Sequence, residues 1–397
     1  MPHTPAPDAS DVPDLPELPD APEIRIDVPG SFPRAVFRER HPVLIGQVLD
    51  ALPYGPRQRA ALTELLARST GGGVLEPPDA DTPDGARWRA WGAGQWGRRW
   101  DEAPFLWAES WFYRLLLEAT GWFRPGAWQG VDPFAPFKAA ELAGPAVDAE
   151  LAALEAESGR DALLSAALWG NRADLSFRLT APDGSAESGL VADDSARLWA
   201  VLERGRGGRV GVVADNAGRE LLPDLVLIDH LLTTGLAGQA VLYVKPHPYF
   251  LSDATTADTL AALTRLRTAP GKAAAAIGER LWRAMGEGTL TVRTHPFFCA
   301  PLPYDAMPAD LRAELAGATL TVLKGDLNYR RLVGDRHWPP TTPFAALTGY
   351  FPTPVAALRT LKSDVAVGLA PDTVSRLDAT GTPWRTSGRH ALIQVHG

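Results

Sequence analysis

The chain has 397 residues, 39 Lys plus Arg against 47 Asp plus Glu, a formal net charge of −8 and a single cysteine. A mildly acidic chain without a long Lys/Arg cluster is a poor match for the phosphate backbone of nucleic acid. One cysteine excludes an intramolecular disulfide framework and a multi-cysteine zinc site, and at roughly 100–200 residues per domain the length suggests two domains, or one large α/β unit with a helical region attached.

Met1–Glu23 alternates proline with acidic residues and holds no aromatic, so it reads as a disordered or extended tail, and the division of the chain carries that tail to residue 30. It has no Lys or Arg and no apolar stretch, unlike a secretory signal, and no uncharged apolar run in the chain approaches the ~20 residues of a membrane span. The expectation is a soluble cytoplasmic protein with neither nucleic-acid nor membrane partner.

From about Ser31 to Leu202 the pattern is mainly helical, with Phe37, His41, Leu44, Ile45, Val48 and Leu49 recurring at three- and four-residue steps. Gly71–Gly73 and the Pro/Asp-rich stretch Glu76–Gly85 mark a loop. Eight of the 13 tryptophans fall between Trp88 and Trp128, and the i, i+4 pairs Trp96/Trp100 and Trp107/Trp111 predict packing between helices rather than a ligand-stacking wall. Helices are predicted over Phe105–Ala119, with Pro104 in its first turn and Gly121 after its end, then over Lys138–Gly159 and Arg160–Trp169.

Beyond Leu202 short apolar runs alternate with helical segments. Strands are predicted at Arg209–Ala214, Ala240–Lys245, Leu290–Thr294, Leu320–Leu323, Val365–Gly368 and Leu392–Val395. Helices are predicted at Glu220–Leu232, Ala257–Arg267 and Ala274–Met285, and another, before the fifth strand, carries Arg359–Lys362. This alternation predicts an α/β fold with a mostly parallel sheet covered on both faces. The expected division is a tail over 1–30, a helical N-terminal domain over 31–200 and an α/β catalytic domain over 201–397, with Ala181–Gly189 as a loop or hairpin near the boundary.

In an open α/β sheet ligands bind beyond the carboxyl ends of the strands. Asp215-Asn216-Ala217-Gly218-Arg219-Glu220 follows the first predicted strand, His247 and Asp253 follow the second, Thr294 and His295 the third, and Lys324–Arg330 the fourth. Asp215, Asn216 and Asp253 offer oxygen ligands that suit Mg²⁺ or Mn²⁺. Lys362 and Arg330 carry the charge to neutralise a phosphoryl group. Each piece also has a plain structural reading: Asp and Asn cap helices, Asp253 sits where it can cap the helix after Thr255, Lys362 alone is a surface lysine, and the histidines precede prolines in turns. The run Lys324–Arg330 is the hardest to read that way, because three charged groups and an amide directly follow an apolar strand.

Together these segments resemble the metal-dependent damage-control phosphatases, in the subfamily related to the acidic-residue methyltransferase-like proteins. The likeness is carried, in the family's order, by Trp169–Ser176, Asp215–Leu221, Phe250–Thr255, Lys324–Arg330, Arg359–Lys362 and Arg385–Gly388; residues 67–100 match no firm family pattern. The resemblance implies a helical region packed on a Rossmann-like α/β domain. It further implies a hydrolase of small phosphorylated metabolites, sugar phosphates such as fructose phosphates, working with Mn²⁺, Mg²⁺, Co²⁺ or Ni²⁺. It carries Asp215, Asn216 and Asp253 over as metal ligands and Glu220 as a substrate contact. Asp326, Leu327, Asn328, Tyr329, Arg330 and Lys362 then line the phosphate and sugar pocket. Asn171 and Asp174 match a shared motif, and Asn171 is counted among the substrate-binding candidates. Asp253 and Asp326 both qualify to activate the nucleophile.

Two other classes fit less well. A carboxyl methyltransferase needs a glycine-rich turn after the first strand, but Gly205, Gly207 and Gly208 precede that strand and Asp-Asn follows it. A non-enzymatic sugar-phosphate sensor has no need of carboxylates beside a phosphate. Among phosphatases the haloacid-dehalogenase type also fits less well, since no Asp-x-Asp follows the first strand.

Overall fold

The computed structural model describes residues 20–156, 159–170 and 189–397. Among them one sheet of seven strands forms: β1 Leu190–Asp193, β2 Gly208–Val213, β3 Ala237–Val244, β4 Leu290–Thr294, β5 Leu320–Lys324, β6 Val355–Thr360 and β7 Ala391–His396. Their order is β1-β7-β6-β5-β2-β3-β4, and every neighbouring pair is parallel except β6 with β7. This is the expected α/β class with a mostly parallel sheet.

Side chains alternate across the strands with the period of two that a pleated backbone imposes. Val213, Val241, Tyr243, Leu323 and Ala357 join a core that includes the N-terminal helices. Val210, Val212, Leu242, Val322 and Leu358 face the opposite layer, with Leu225 and Ile228 of the helix Leu221–Thr233 and Leu263 of the helix Thr256–Arg267. From β2 the chain steps outward to β3 and β4, then crosses to β5 on the other side of β2. The connections leaving β2 and β5 therefore diverge, and a crevice opens beyond their carboxyl ends.

The N-terminal layer is built on helices His41–Ala51, Pro56–Thr70, Gly85–Trp91 and Phe105–Thr120. Trp88, Trp91, Trp96, Trp107 and Trp111 pack ring against ring at 5.0–6.4 Å between centroids, the interhelical packing expected of them. Trp96 and Trp100 share no helical face, since Trp96 lies in a turn and Trp100 opens a 3₁₀ segment. Residues 20–26 fall within the stretch read as tail, yet Ile24 and Ile26 are buried in this layer. Phe105 N–H donates to Ile24 O at 2.8 Å, and Arg336 Nη1 donates to Ala21 O at 3.0 Å.

Four expectations are corrected. The predicted helix Lys138–Gly159 is two helices, Ala135–Glu141 and Pro145–Ala156, because Gly144 takes φ +93 ahead of Pro145. The segment before the predicted strand Val365–Gly368 is itself a strand: β6 ends on Arg359-Thr360, and its alanine-rich run favours helix only until it is wedged, wholly buried, between β5 and β7. Val365–Gly368 forms no strand; Val367 O instead accepts from Gln394 Nε2 at 2.7 Å, and Gly368 N–H donates to Thr342 O at 2.7 Å. Finally, β1 lies inside the stretch read as mainly helical, as a short edge strand beside β7.

Candidate active site

Asp215 follows β2 by two residues, and Asp253 lies on the loop after β3. The two loops pair through a short antiparallel bridge at Asn216 and Asp253. Ala217 N–H donates to Ser252 O at 2.7 Å, and Ala254 N–H donates to Asp215 O at 2.9 Å. That bridge joins the loops that carry the two aspartates, both buried, and Asp253 is near enough to act on the Asp215 carboxyl electrostatically. Between them the Asn216 amide donates to Glu220 Oε2 at 2.8 Å and Asp215 Oδ2 at 3.2 Å, while its Oδ1 accepts from Ser252 Oγ at 2.6 Å. At the end of β5, where the helix Gly325–Val333 begins at once, the chain closes in through Gly325 (φ +85), where a Cβ would stand 1.8 Å from Asp215 Oδ2. Only glycine combines that backbone angle with so close an approach.

The site crowds negative charge. Burial first, then Glu220 and Asp253, hold the Asp215 carboxyl well above the usual carboxylate range, with Lys362 and Lys245 pulling the other way. Asp253 is pushed up to about 6 by burial against the pull of Lys245 and Lys138. Lys245 Nζ lies 3.4 Å from Asp253 Oδ2, yet neither atom makes a hydrogen bond of good geometry. A buried acidic oxygen such as Asp253 Oδ2, without a well-aligned donor, is costly as it stands and suits a hard cation. The Asn216 carbonyl oxygen, with one lone pair used by Ser252, retains a second to offer. Among the described residues no three His, Cys, Asp or Glu side chains converge as a ready-made cage. Asp215, Asn216 and Asp253 fit a cation that keeps part of its coordination for water and substrate.

The run after β5 is more structural than its composition suggests. Asp326 accepts from Arg359 Nε at 2.8 Å, Ser363 Oγ at 3.1 Å and the Lys362 backbone N–H at 3.3 Å. Although burial acts to raise it, Arg359 and Arg330 hold this carboxyl below the usual range. Asn328 is fully buried: its amide donates to Ala214 O and Lys324 O at 3.1 and 2.8 Å, and it accepts from Tyr304 at 2.9 Å. Tyr329 donates to Gln394 Oε1 at 2.9 Å. Leu327 packs with Leu106, Tyr249 and Cys299. Arg330 grips Asp335 with two bonds of 2.7 and 2.9 Å, so its fork is already engaged by a carboxylate. Asn171 and Asp174 lie outside the described residues. Asp253 does not cap the helix Thr256–Arg267; Thr255 does, in a reciprocal box with Asp258.

Several neighbours were not singled out from the sequence. Lys245 closes the strand predicted over Ala240–Lys245, and the rule of looking just beyond strand ends passes over a last strand residue; Lys324 was counted in the run after the fourth predicted strand, but its partner was not foreseen. Lys324 pairs with Asp224 at 2.7 Å beneath Asp215, and Asp224 is pushed up to about 6 by burial despite that lysine. Glu109 and Lys138 come from the helical layer, where nothing in their spacing sets them apart. A crevice of about 20 Å³, room for a single water, opens beside Asn216, Glu220 and Ser252.

The sequence model of the damage-control phosphatase ARMT1-like domain matches residues 36–377. The chain belongs to that family. Damage-control phosphatase ARMT1 of Danio rerio is 37% identical over 254 residues, 58% of this chain and 57% of that protein's own length. Its Mus musculus counterpart is 33% identical over 340 residues, 75% of each chain. A solved DUF89 family protein from Pyrococcus horikoshii aligns at 14% identity with a TM-score of 0.47, over 85% of this chain and 92% of that one. The damage-control phosphatase family is one of metal-dependent enzymes, and the two bridged loops, Asp215–Glu220 and Phe250–Thr255, fall inside the matched range.

Proposed function

We propose that the protein is a metal-dependent phosphatase that hydrolyses phosphate monoesters of small metabolites, sugar phosphates foremost, with Mn²⁺ as its cation. The observation that supports this reading is the Asn216–Asp253 bridge, which joins the two loops bearing the buried Asp215 and Asp253 at the sheet's switch point. Asp215, Asn216 and Asp253 would hold the cation. When bound, a divalent ion supplies Lewis-acid polarisation of a phosphoryl oxygen and makes a nearby water more acidic.

The chain's own groups do the rest. Lys245 holds Asp253, and Lys362 lies close enough to Asp215 to draw its carboxyl down and to meet a phosphoryl group. Asp326 acts as a positioning residue in this scheme: by accepting from Arg359, Ser363 and the Lys362 backbone it sets the loop from which Lys362 reaches the site. Held charged by Arg359, it is also a weak base. Glu220, tied to Asn216, stands where a substrate hydroxyl can meet it. A cytoplasmic setting suits the lone buried thiol of Cys299, which burial pushes up to about 12.

The test is phosphate release from a panel of sugar phosphates by chelator-stripped protein re-supplied with each divalent ion. Asp253→Asn should fold, as circular dichroism checks, and release phosphate at least about 100-fold more slowly, because the ligand charge is gone. Full manganese-dependent turnover by that variant refutes the assignment.

A further inference from the structure

We infer that Lys138 is a positioning residue for the metal-ligating loop, holding the Asp253 backbone in place from the helical layer; this rests on the proposed role of Asp253 as a ligand. Lys138 lies on the helix Ala135–Glu141, with its side chain 5% exposed. Its ammonium uses all three donors: to Asp132 Oδ2 at 3.0 Å, to Asp258 Oδ2 at 2.9 Å and to the carbonyl oxygen of Asp253 at 3.0 Å. No other cation in this layer reaches the ligand's main chain through a hydrogen bond among the described residues.

Each partner fixes one side of the arrangement. Asp258 also accepts from Thr255 N–H at 2.9 Å and Thr255 Oγ1 at 2.7 Å, so Lys138 spans the turn from the ligand to the helix cap two residues later. Asp132 Oδ1 accepts from Phe134 N–H at 2.8 Å, so the carboxylate that pairs with the lysine also fixes the start of its helix. The far end of that helix rests on the other ligand loop: a Cβ on Gly218 would meet Glu141 Oε2 at 2.1 Å and its Cβ at 2.9 Å. One short helix thus touches the turn after Asn216 and the turn at Asp253.

A buried ammonium with two carboxylates is a weak source of stability, since desolvation offsets the attraction. What the trio does supply is a fixed place for the Asp253 carbonyl, and with it the direction of the carboxylate on the same residue. Outer partners of this kind set affinity for the metal.

The experiment measures Mn²⁺ binding to the purified full chain by electron paramagnetic resonance, beside thermal melting. Lys138→Met should bind Mn²⁺ about 10–100-fold more weakly than the native chain and melt lower. Lys138→Arg keeps a charge for both carboxylates, but its planar fork cannot reproduce the tetrahedral reach to the Asp253 carbonyl. It should melt near the native temperature and still bind Mn²⁺ several-fold more weakly, a separation that a merely structural lysine would not produce. Native affinity in folded Lys138→Met overturns the inference, and so does native affinity in Lys138→Arg if the first variant does not fold. Absence of Mn²⁺ binding by the native chain overturns the metal reading itself.

Discussion

The closest approach in the site, between Gly325 and the Asp215 carboxylate, gives a sharp test of how far the geometry governs activity. In Gly325→Ala the new methyl would lie 1.8 Å from Oδ2, 2.0 Å from Cγ and 2.6 Å from Cβ of Asp215. Restoring ordinary contact requires the carboxylate to retreat by about 1.6 Å or more. A displacement of about 1 Å at a reacting centre costs on the order of 100-fold in rate. kcat/KM should therefore fall at least about 100-fold, equivalent to about 2.7 kcal/mol. The left-handed backbone at φ +85 adds about 1–2 kcal/mol to the cost of folding, which for a chain of this size lowers the melting temperature by only a few degrees. Gly334→Ala is the matched control: its φ is +79, and its Cβ would meet nothing nearer than 3.8 Å. The two variants, compared at a temperature where both are folded, should differ in manganese-dependent phosphate release by about two orders of magnitude. Equal activity in both would refute the claim that Asp215 must stand where Gly325 lets it stand.

Glu109 is raised by burial, against Arg330, to about 7, so its contribution to stability is complete below about pH 4.5 and is lost as pH rises through about 7. Glu109→Gln should accordingly gain on the native chain by up to about 3 kcal/mol between pH 4.5 and pH 8, and a gap in metal-free melts that does not change with pH refutes this. His41 has the opposite sign: both ring nitrogens lack hydrogen-bond partners, the ring stacks on Phe112 at 3.7 Å, and burial lowers its pKa to about 3. Its contribution is present above about pH 6.5 and lost as pH falls toward about 3, so His41→Leu should outlast the native chain increasingly from pH 7 to pH 4.5. Arg330→Lys cannot reproduce the two-pronged grip on Asp335 and should cost about 3 kcal/mol of stability, while the sugar-phosphate KM of the folded enzyme moves less than about threefold. An unchanged melt with a large rise in KM would return Arg330 to the substrate.

The α/β class was legible because strand runs such as Arg209–Ala214 are apolar on both sides, and the two loops that meet at the Asn216–Asp253 bridge drew notice because acidic residues follow two of those runs. The run 355–360 was not, because alanine favours helix locally and only the slot between β5 and β7 makes it a strand. The internal partners of Lys324–Arg330 were hidden for a related reason. Charged residues crowded behind a strand look alike from the sequence whether they meet a ligand or one another. Here Asp326 meets Arg359, and Arg330 meets Asp335. Lys138 was out of reach of any local pattern, since its partner Asp253 lies 115 residues away.

The contacts of residues 20–26 bear on how this chain can be shortened for the bench. A version starting at residue 31 would strip Ile24 and Ile26 out of the helical layer and leave the Arg336 guanidinium without the Ala21 carbonyl it holds. It would also free the Phe105 amide at the first turn of the helix that carries Glu109 and Tyr113. A cut placed just ahead of residue 20 keeps all of these. For truncation, the seam between proline-rich beginning and folded body is thus set by two isoleucines, several positions earlier than the point where the helices begin.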